Sequence, residues 1–320
     1  MVGGARGKLV WLLGVASLSL VAQFAAAGEP APRCRLWLDL YRGEPISYEQ
    51  ILADLAGVRV IYLGEHHTIA EDHEIQARCV ADLGKRGVPL ALGLEQFEAL
   101  QQPIVDRYNH REIGFDELAQ STQWAKRWPN FRQYQAVLEA ARDLGAPALA
   151  LNARSETIRR IARGGGVEKL DPATRQSLPA EMQLHDPLYE KLLGMQMMVH
   201  LAATPDRVRP MVEAQIARDE TMAAAIAKFL QSGPGQGRTM IVLCGAGHVA
   251  YGLGTAGRVR RLLPAIKDRI VLFSESGDLE LSPQEKAAAR EIRISHEQLR
   301  AIDRPMGDYL YAKDLRKTLP

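Results

Sequence analysis

The residues in this chain best suited to chemistry are Glu65, His66, His67, His73, Glu95, Asn152, Arg154 and His248. Glu65 and His67 stand two apart in the segment Val58–His73, VRVIYLGEHHTIAEDH. In extended chain that spacing points both to one side and His66 to the other. Imidazoles grouped with carboxylates can bind a divalent metal, with Glu65, His67, His73 and His248 as the candidate ligands. The same groups can instead hold and activate a water, one as base and another orienting it. Arg154 offers a bidentate grip on a carboxylate or phosphate, and Asn152 a donor to an oxyanion.

These side chains matter only if the fold gathers them, and the sequence around each suggests how it does. Val58–Leu63 is a short apolar run before Glu65, and Pro89–Leu94 leads to Glu95. Ala148–Leu151 leads to Asn152, and Thr239–Cys244 to the turn that carries His248. Runs of this length and composition read as buried strands. Between them the pattern is helical. A helix is expected to start at Thr68, where Thr68 and Glu71 have capping-box spacing, with Ile75, Cys79, Val80 and Leu83 as its apolar face. Ala99–Trp128 and Phe131–Leu144 are also expected to be helical. Arg269–Phe273 adds a fifth strand, and Tyr309–Tyr311 reads as a last strand at the sheet edge. This alternation predicts an α/β fold, a mostly parallel sheet with helices on both faces. The strand C-termini then share one lip, so Glu65, His67, Glu95, Asn152, Arg154 and His248 are expected to face one crevice.

From Ser155 to Gln231 there is no strand pattern, which predicts a helical subdomain inserted at about 155–231. Gly164–Pro179 punctuates it, Pro205–Leu230 is one long helix, and Ala180–Ala203 is expected to be another. This last stretch is rich in methionine (Met182, Met195, Met197, Met198) and carries His185, Tyr189 and His200. Met, His and Tyr can all serve as haem ligands, which makes His185 and Tyr189 the candidate cofactor-binding residues; methionine on a helix is also ordinary adaptable packing. The turn Gly245-Ala-Gly247-His248-Val-Ala250 fits a dinucleotide fingerprint. Its late position, its histidine and the remoteness of the next acidic residue, Glu275, argue against that use.

A formal charge of +2 with 24% charged residues provides no basic footprint for nucleic acid. Arg6 and Lys8 precede an apolar run, Leu9–Ala27, that closes on Ala25-Ala26-Ala27, the pattern of a cleaved signal peptide over residues 1–27. An uncleaved anchor is the alternative. No lipobox precedes Cys34, and no later segment is long and apolar enough to span a bilayer. Residues 28–57 read as an N-terminal extension and 58–320 as the main domain, in a periplasmic or otherwise exported protein. The three cysteines make no metal-binding pattern; Cys79 and Cys244 read as core residues, with one disulfide open to an exported chain.

Several motifs taken together resemble the ChaN-like haem-binding uptake family, within the wider Tiki/TraB/erythromycin-esterase superfamily. They are Leu63-Gly64-Glu65-x-His67 with His73, Gly93-Leu94-Glu95-x-Phe97, and Trp124-x3-Trp128-Pro129 leading to Tyr134. Ala150-x-Asn152-x-Arg154, Gln215-x2-Arg218-Asp219-x2-Met222-Ala223, Gly245-x-Gly247-His248 and Asp308-Tyr309 follow, so the match spans roughly 58–311. Two features depart from the family. Thr68-Ile69-Ala70 stands where members usually have an Asp-Asn-Pro turn, and the lipobox common among them is missing. The resemblance implies an exported haem-binding protein of iron or haem uptake, with haem as cofactor and an outer-membrane receptor or a second copy of the chain as partner. The superfamily implies a different activity, hydrolysis of esters or peptides by strand-end Glu and His residues, in some members with a metal.

Overall fold

The structure, a computed structural model, describes residues 35–201, 205–274 and 303–313, with side chains described outside 195–207. The expected signal peptide, Cys34 and Glu275 lie outside the described residues. Eight strands form one sheet: β1 (Leu36–Asp39), β2 (Glu44–Pro45), β3 (Val60–Glu65), β4 (Leu90–Glu98), β5 (Ala148–Asn152), β6 (Thr239–Gly245), β7 (Asp268–Phe273) and β8 (Tyr309–Ala312). Their order is β2-β1-β8-β7-β3-β6-β4-β5. The six strands from β8 to β5 pair in parallel, and β1 adds antiparallel partners at the far side. The expected α/β class, with a mostly parallel sheet, is what the chain adopts.

Alternation along each strand divides the core into two layers. Ile61 and Leu63 of β3, Leu92 of β4 and Ile241 and Leu243 of β6 face one cluster, shared with Cys79, Val80 and Leu83 of the helix Ala70–Lys85. Val60 and Tyr62, Met240 and Val242, and Ile270 and Leu272 face the other, closed by Met222, Ala223 and Ile226 of the helix Pro205–Gln231. Cys79 and Cys244 are buried free thiols, one in each layer.

Several boundaries differ from expectation. β3 runs on through Gly64 to Glu65, because its ladder to β6 continues as far as the Glu65–Gly245 pair. The following helix starts at Ala70, not Thr68, and its N-cap, Ile69, makes no side-chain capping bond. Asp72 in the first turn instead accepts the His66 N–H at 2.9 Å, which holds a tight turn between strand and helix. β8 is interior, because Leu36–Asp39 pairs with it residue for residue. The methionine-rich helix begins at Pro187, leaving Met182 and His185 on the preceding loop. Proline suits a first helical position, and Asp186 just before it accepts the Tyr189 N–H at 3.1 Å. Behind the turn after β6 come two short 3-10 segments, Ala246–His248 and Ala250–Gly252, before the helix Gly254–Leu262. No helix N-terminus therefore sits on the glycine-rich turn, and the dinucleotide reading has no structural counterpart.

β5 ends the sheet, and an end strand carries unpaired backbone groups. Asn109 accepts from the Ala148 N–H and donates to the Ala148 carbonyl, both at 2.9 Å, and Gln102 accepts from the Ala150 N–H at 2.7 Å. Asn109→Ala is expected to destabilise the fold by roughly 1–3 kcal/mol, since it leaves the buried Ala148 N–H unpaired and its carbonyl with Gln102 Nε2 at 3.2 Å only. Urea unfolding monitored by circular dichroism checks this; an unchanged midpoint would mean the edge does not need its cap.

Candidate functional site

β3, β6, β4 and β5 are consecutive neighbours, so their C-terminal ends form one lip. Glu65, Glu95 and His248 are all buried there, at 2%, 3% and 6% exposure. A buried carboxylate costs several kcal/mol unless donors surround it. Glu65 is surrounded. Its Oε1 accepts from Tyr134 Oη, from His67 Nδ1 at 2.8 Å and from Gln96 Nε2 at 3.1 Å. Its Oε2 accepts from Gln76 Nε2 at 2.5 Å, with His73 Nδ1 3.5 Å away. His73 has its other nitrogen, Nε2, 3.0 Å from the His67 carbonyl.

A second buried cluster adjoins the first. Glu95 Oε2 accepts the Gly245 N–H at 2.8 Å, and Oε1 is 3.3 Å from His248 Nε2. His248 Nδ1 lies 2.7 Å from Asp219 Oδ1, which Thr255 Oγ1 also reaches at 2.8 Å. Tyr189 Oη donates to Asp219 Oδ2 at 2.7 Å. His248 thus lies between two buried carboxylates. Burial alone would lower its pKa, but the charges of Glu95 and Asp219 outweigh that and push it up to about 10. Conversely, burial raises the pKa of Glu95, and the His248 charge and hydrogen bond, helped by His67 and the Gly245 N–H, hold it far below the usual carboxylate range.

His67 connects the two clusters. Its ring packs edge-on against Trp128 at 4.6 Å, and its Nε2 lies where a Cβ on Gly245 would approach to 2.8 Å. Gly245 is therefore needed here for space. Burial lowers the His67 pKa, and the bond to Glu65 with the charges of Glu95 and Glu65 more than reverses that. Its side chain keeps 35% exposure, and among the described residues its Nε2 has no hydrogen-bond partner.

The other expected site residues are placed differently. Asn152 is buried and donates to the Glu95 carbonyl at 2.9 Å, so it supports the strand end. Arg154 stands apart, its side chain 53% exposed and 3.8 Å from Glu156. His185 is 77% exposed with Nδ1 2.8 Å from Glu190, whereas Tyr189 is buried with its hydroxyl given to Asp219. His66 packs its ring against Asp72, Nδ1 to Oδ2 at 3.5 Å. Among the described residues no three His, Cys, Asp or Glu side chains are arranged to hold a metal ion. The expected metal set of Glu65, His67, His73 and His248 is not brought together as such a group. Those donors point at one another and at Asp219, not at a common point. Tyr134, Gln76, Gln96, Gln215 and Asp219 complete the clusters, and spacing alone had given them no role. The available signal was a charged residue, Asp219, in the apolar stripe of Ile216, Met222 and Ala223.

A parallel-sheet protein with paired carboxylates and histidines sealed at its strand ends is the class defined so far. Residues 51–259 match the family described as haem-binding uptake, Tiki superfamily, ChaN, and the chain belongs to that family. Its fold is similar to a structure described as cofacial heme binding to ChaN of Campylobacter jejuni, at 18% identity and a TM-score of 0.64, covering 87% of this chain and 96% of that one. An erythromycin esterase, EreC, in its open conformation matches at 14% identity and a TM-score of 0.46, over 86% of this chain and 97% of that one. The type III effector HopBA1 matches at 13% identity and 0.44, over 82% and 90%. No curated protein matches the chain.

A protonated His248 stabilises the fold fully below its ordinary pKa of 6.5, and this contribution is lost as pH rises through about 10. The melting temperature is therefore expected to fall by roughly 5 °C or more between neutral and alkaline pH, with a much shallower fall in His248→Asn. Calorimetry across that range checks it. Parallel profiles for the two proteins would contradict a charged His248.

Proposed function

We propose that this chain is an exported haem-binding protein that serves haem or iron uptake. Membership of the ChaN family over residues 51–259 carries the reading. The basic residues Arg6 and Lys8 before the apolar run Leu9–Ala27 support export, and the missing lipobox favours a periplasmic form without a lipid anchor. Among the described residues no helix is long and apolar enough to cross a membrane. An outer-membrane receptor and a second copy of the chain are the partners this role implies.

A haem iron needs an accessible axial ligand, and the strand-end histidines have largely spent their nitrogens. His185 has not. Glu190 holds its Nδ1 at 2.8 Å, Arg209 holds Glu190 in turn at 2.8 Å, and the ring is 77% exposed. A carboxylate on one ring nitrogen fixes the tautomer and raises the basicity of the other, the usual support for a metal-bound imidazole. His185, through Nε2, is the residue that would hold the haem iron. Tyr189 is buried with its hydroxyl given to Asp219, so its oxygen is not on offer. The residues present fit the group: an oriented, exposed imidazole just before the helix Pro187–Leu201.

One observation favours a second reading, hydrolysis of an ester or peptide without a bound metal. Glu65 orients His67 by its Nδ1 and leaves Nε2, opposite Gly245, without a hydrogen-bond partner among the described residues, the arrangement of a general base. A water held there would lose its proton to Nε2 while Glu65 stabilises the imidazolium.

Titration of the purified mature protein with hemin is expected to give a saturable Soret shift. His185→Ala should weaken it by about tenfold or more, and His67→Ala should leave it close to wild type. A spectrum identical to free hemin ends the haem reading. Loss in His67→Ala alone would move the ligand to the strand ends.

A further inference from the structure

A hollow of about 540 Å³ opens on the helical subdomain, lined by Glu156, Arg159, Arg160, Arg163, Lys169 and Asp171. A second, of about 220 Å³, shares Glu156 and Arg160 with it and adds Arg154. The helix Ser155–Gly164 explains the charge. It buries Thr157, Ile158 and Ile161 and turns Arg159, Arg160 and Arg163 outward. The two carboxylates are taken. Arg160 lies 2.6 Å from Glu156 and 3.2 Å from Asp171, and Arg154 also approaches Glu156. Arg159, Arg163 and Lys169 have no carboxylate within 4 Å among the described residues.

Arg159 and Arg163 are neighbours one helical turn apart, so their charges repel. The C-terminal dipole of the helix offsets only Arg163. Three uncompensated cations around one hollow, two of them planar guanidinium forks, suit an anion that carries several charges on tetrahedral oxygens. We propose that this hollow binds a phosphate-bearing ligand of two or more negative charges, either a free phosphorylated molecule or the headgroups of an anionic membrane. It is distinct from the strand-end clusters, and it does not depend on the haem reading.

The test uses inorganic pyrophosphate in a calorimetric titration at low salt, and sedimentation with vesicles of phosphatidylglycerol against vesicles of phosphatidylcholine. The protein is expected to bind at least one anionic probe and to release it as salt screens the charges. The double variant Arg159→Gln, Arg163→Gln should bind about tenfold or more weakly with an unchanged melting temperature, since both side chains are exposed. Pyrophosphate binding without sedimentation identifies a soluble ligand; sedimentation with phosphatidylglycerol vesicles alone identifies a membrane headgroup. Failure of both probes, or equal binding by the double variant, overturns the proposal.

Discussion

Two buried carboxylates, Glu65 on β3 and Glu95 on β4, flank β6 at one lip of a parallel sheet, and much of the surrounding structure supplies them with donors. Either left bare would cost several kcal/mol, a large part of any domain's net stability. Each is therefore surrounded by donors drawn from distant parts of the chain. Tyr134, His67, Gln96 and Gln76 reach Glu65 from four separate segments. His248 and the Gly245 N–H reach Glu95 from the turn after β6. Asp219 then ties His248 and Tyr189 to the helix Pro205–Gln231. The result is a charged seam that fastens the helical subdomain to the sheet.

The same seam limits what the site can do. A group that satisfies its neighbour is not available to a ligand, and His73, His248 and Glu65 have their polar atoms committed. Of these strand-end groups, His67 keeps a half-buried ring whose Nε2 has no hydrogen-bond partner among the described residues. A metal or a haem iron would have to displace several strong hydrogen bonds to bind at the strand ends, whereas His185 presents an oriented imidazole at the surface without that cost. The strand ends thus form a sealed polar seam that sets the shape of this end of the sheet.

Much of this was legible in the sequence because strands in a parallel sheet are continuous apolar runs, and a polar residue that ends such a run stands out. Glu65, Glu95, His67 and His248 were found that way, and β4 and β6 fix their adjacency. Residues on helices were harder to see. Gln76, Gln96 and Gln215 look like ordinary solvated polar positions until the fold turns them inward, and Tyr134 and Asp219 stood out only as members of family motifs. Local signals also misled. Thr68 and Glu71 have the spacing of a capping box, yet Asp72 takes over the turn by binding the His66 N–H. Arg154, two residues beyond a strand end, continues into a helix start and swings to the surface. Tyr309–Ala312 gave no sign that Leu36–Asp39 would return to cover it, because that pairing joins opposite ends of the chain.

Nitrogen-resolved NMR of the imidazole side chains tests the charged seam most directly. At mildly alkaline pH His248 should carry protons on both nitrogens, since its pKa lies near 10, while His67 should show a proton on Nδ1 bonded to Glu65. A His248 that loses its proton near the ordinary value of 6.5 would mean that the carboxylates beside it are not ionised, and the account of how this end of the sheet is held would be wrong.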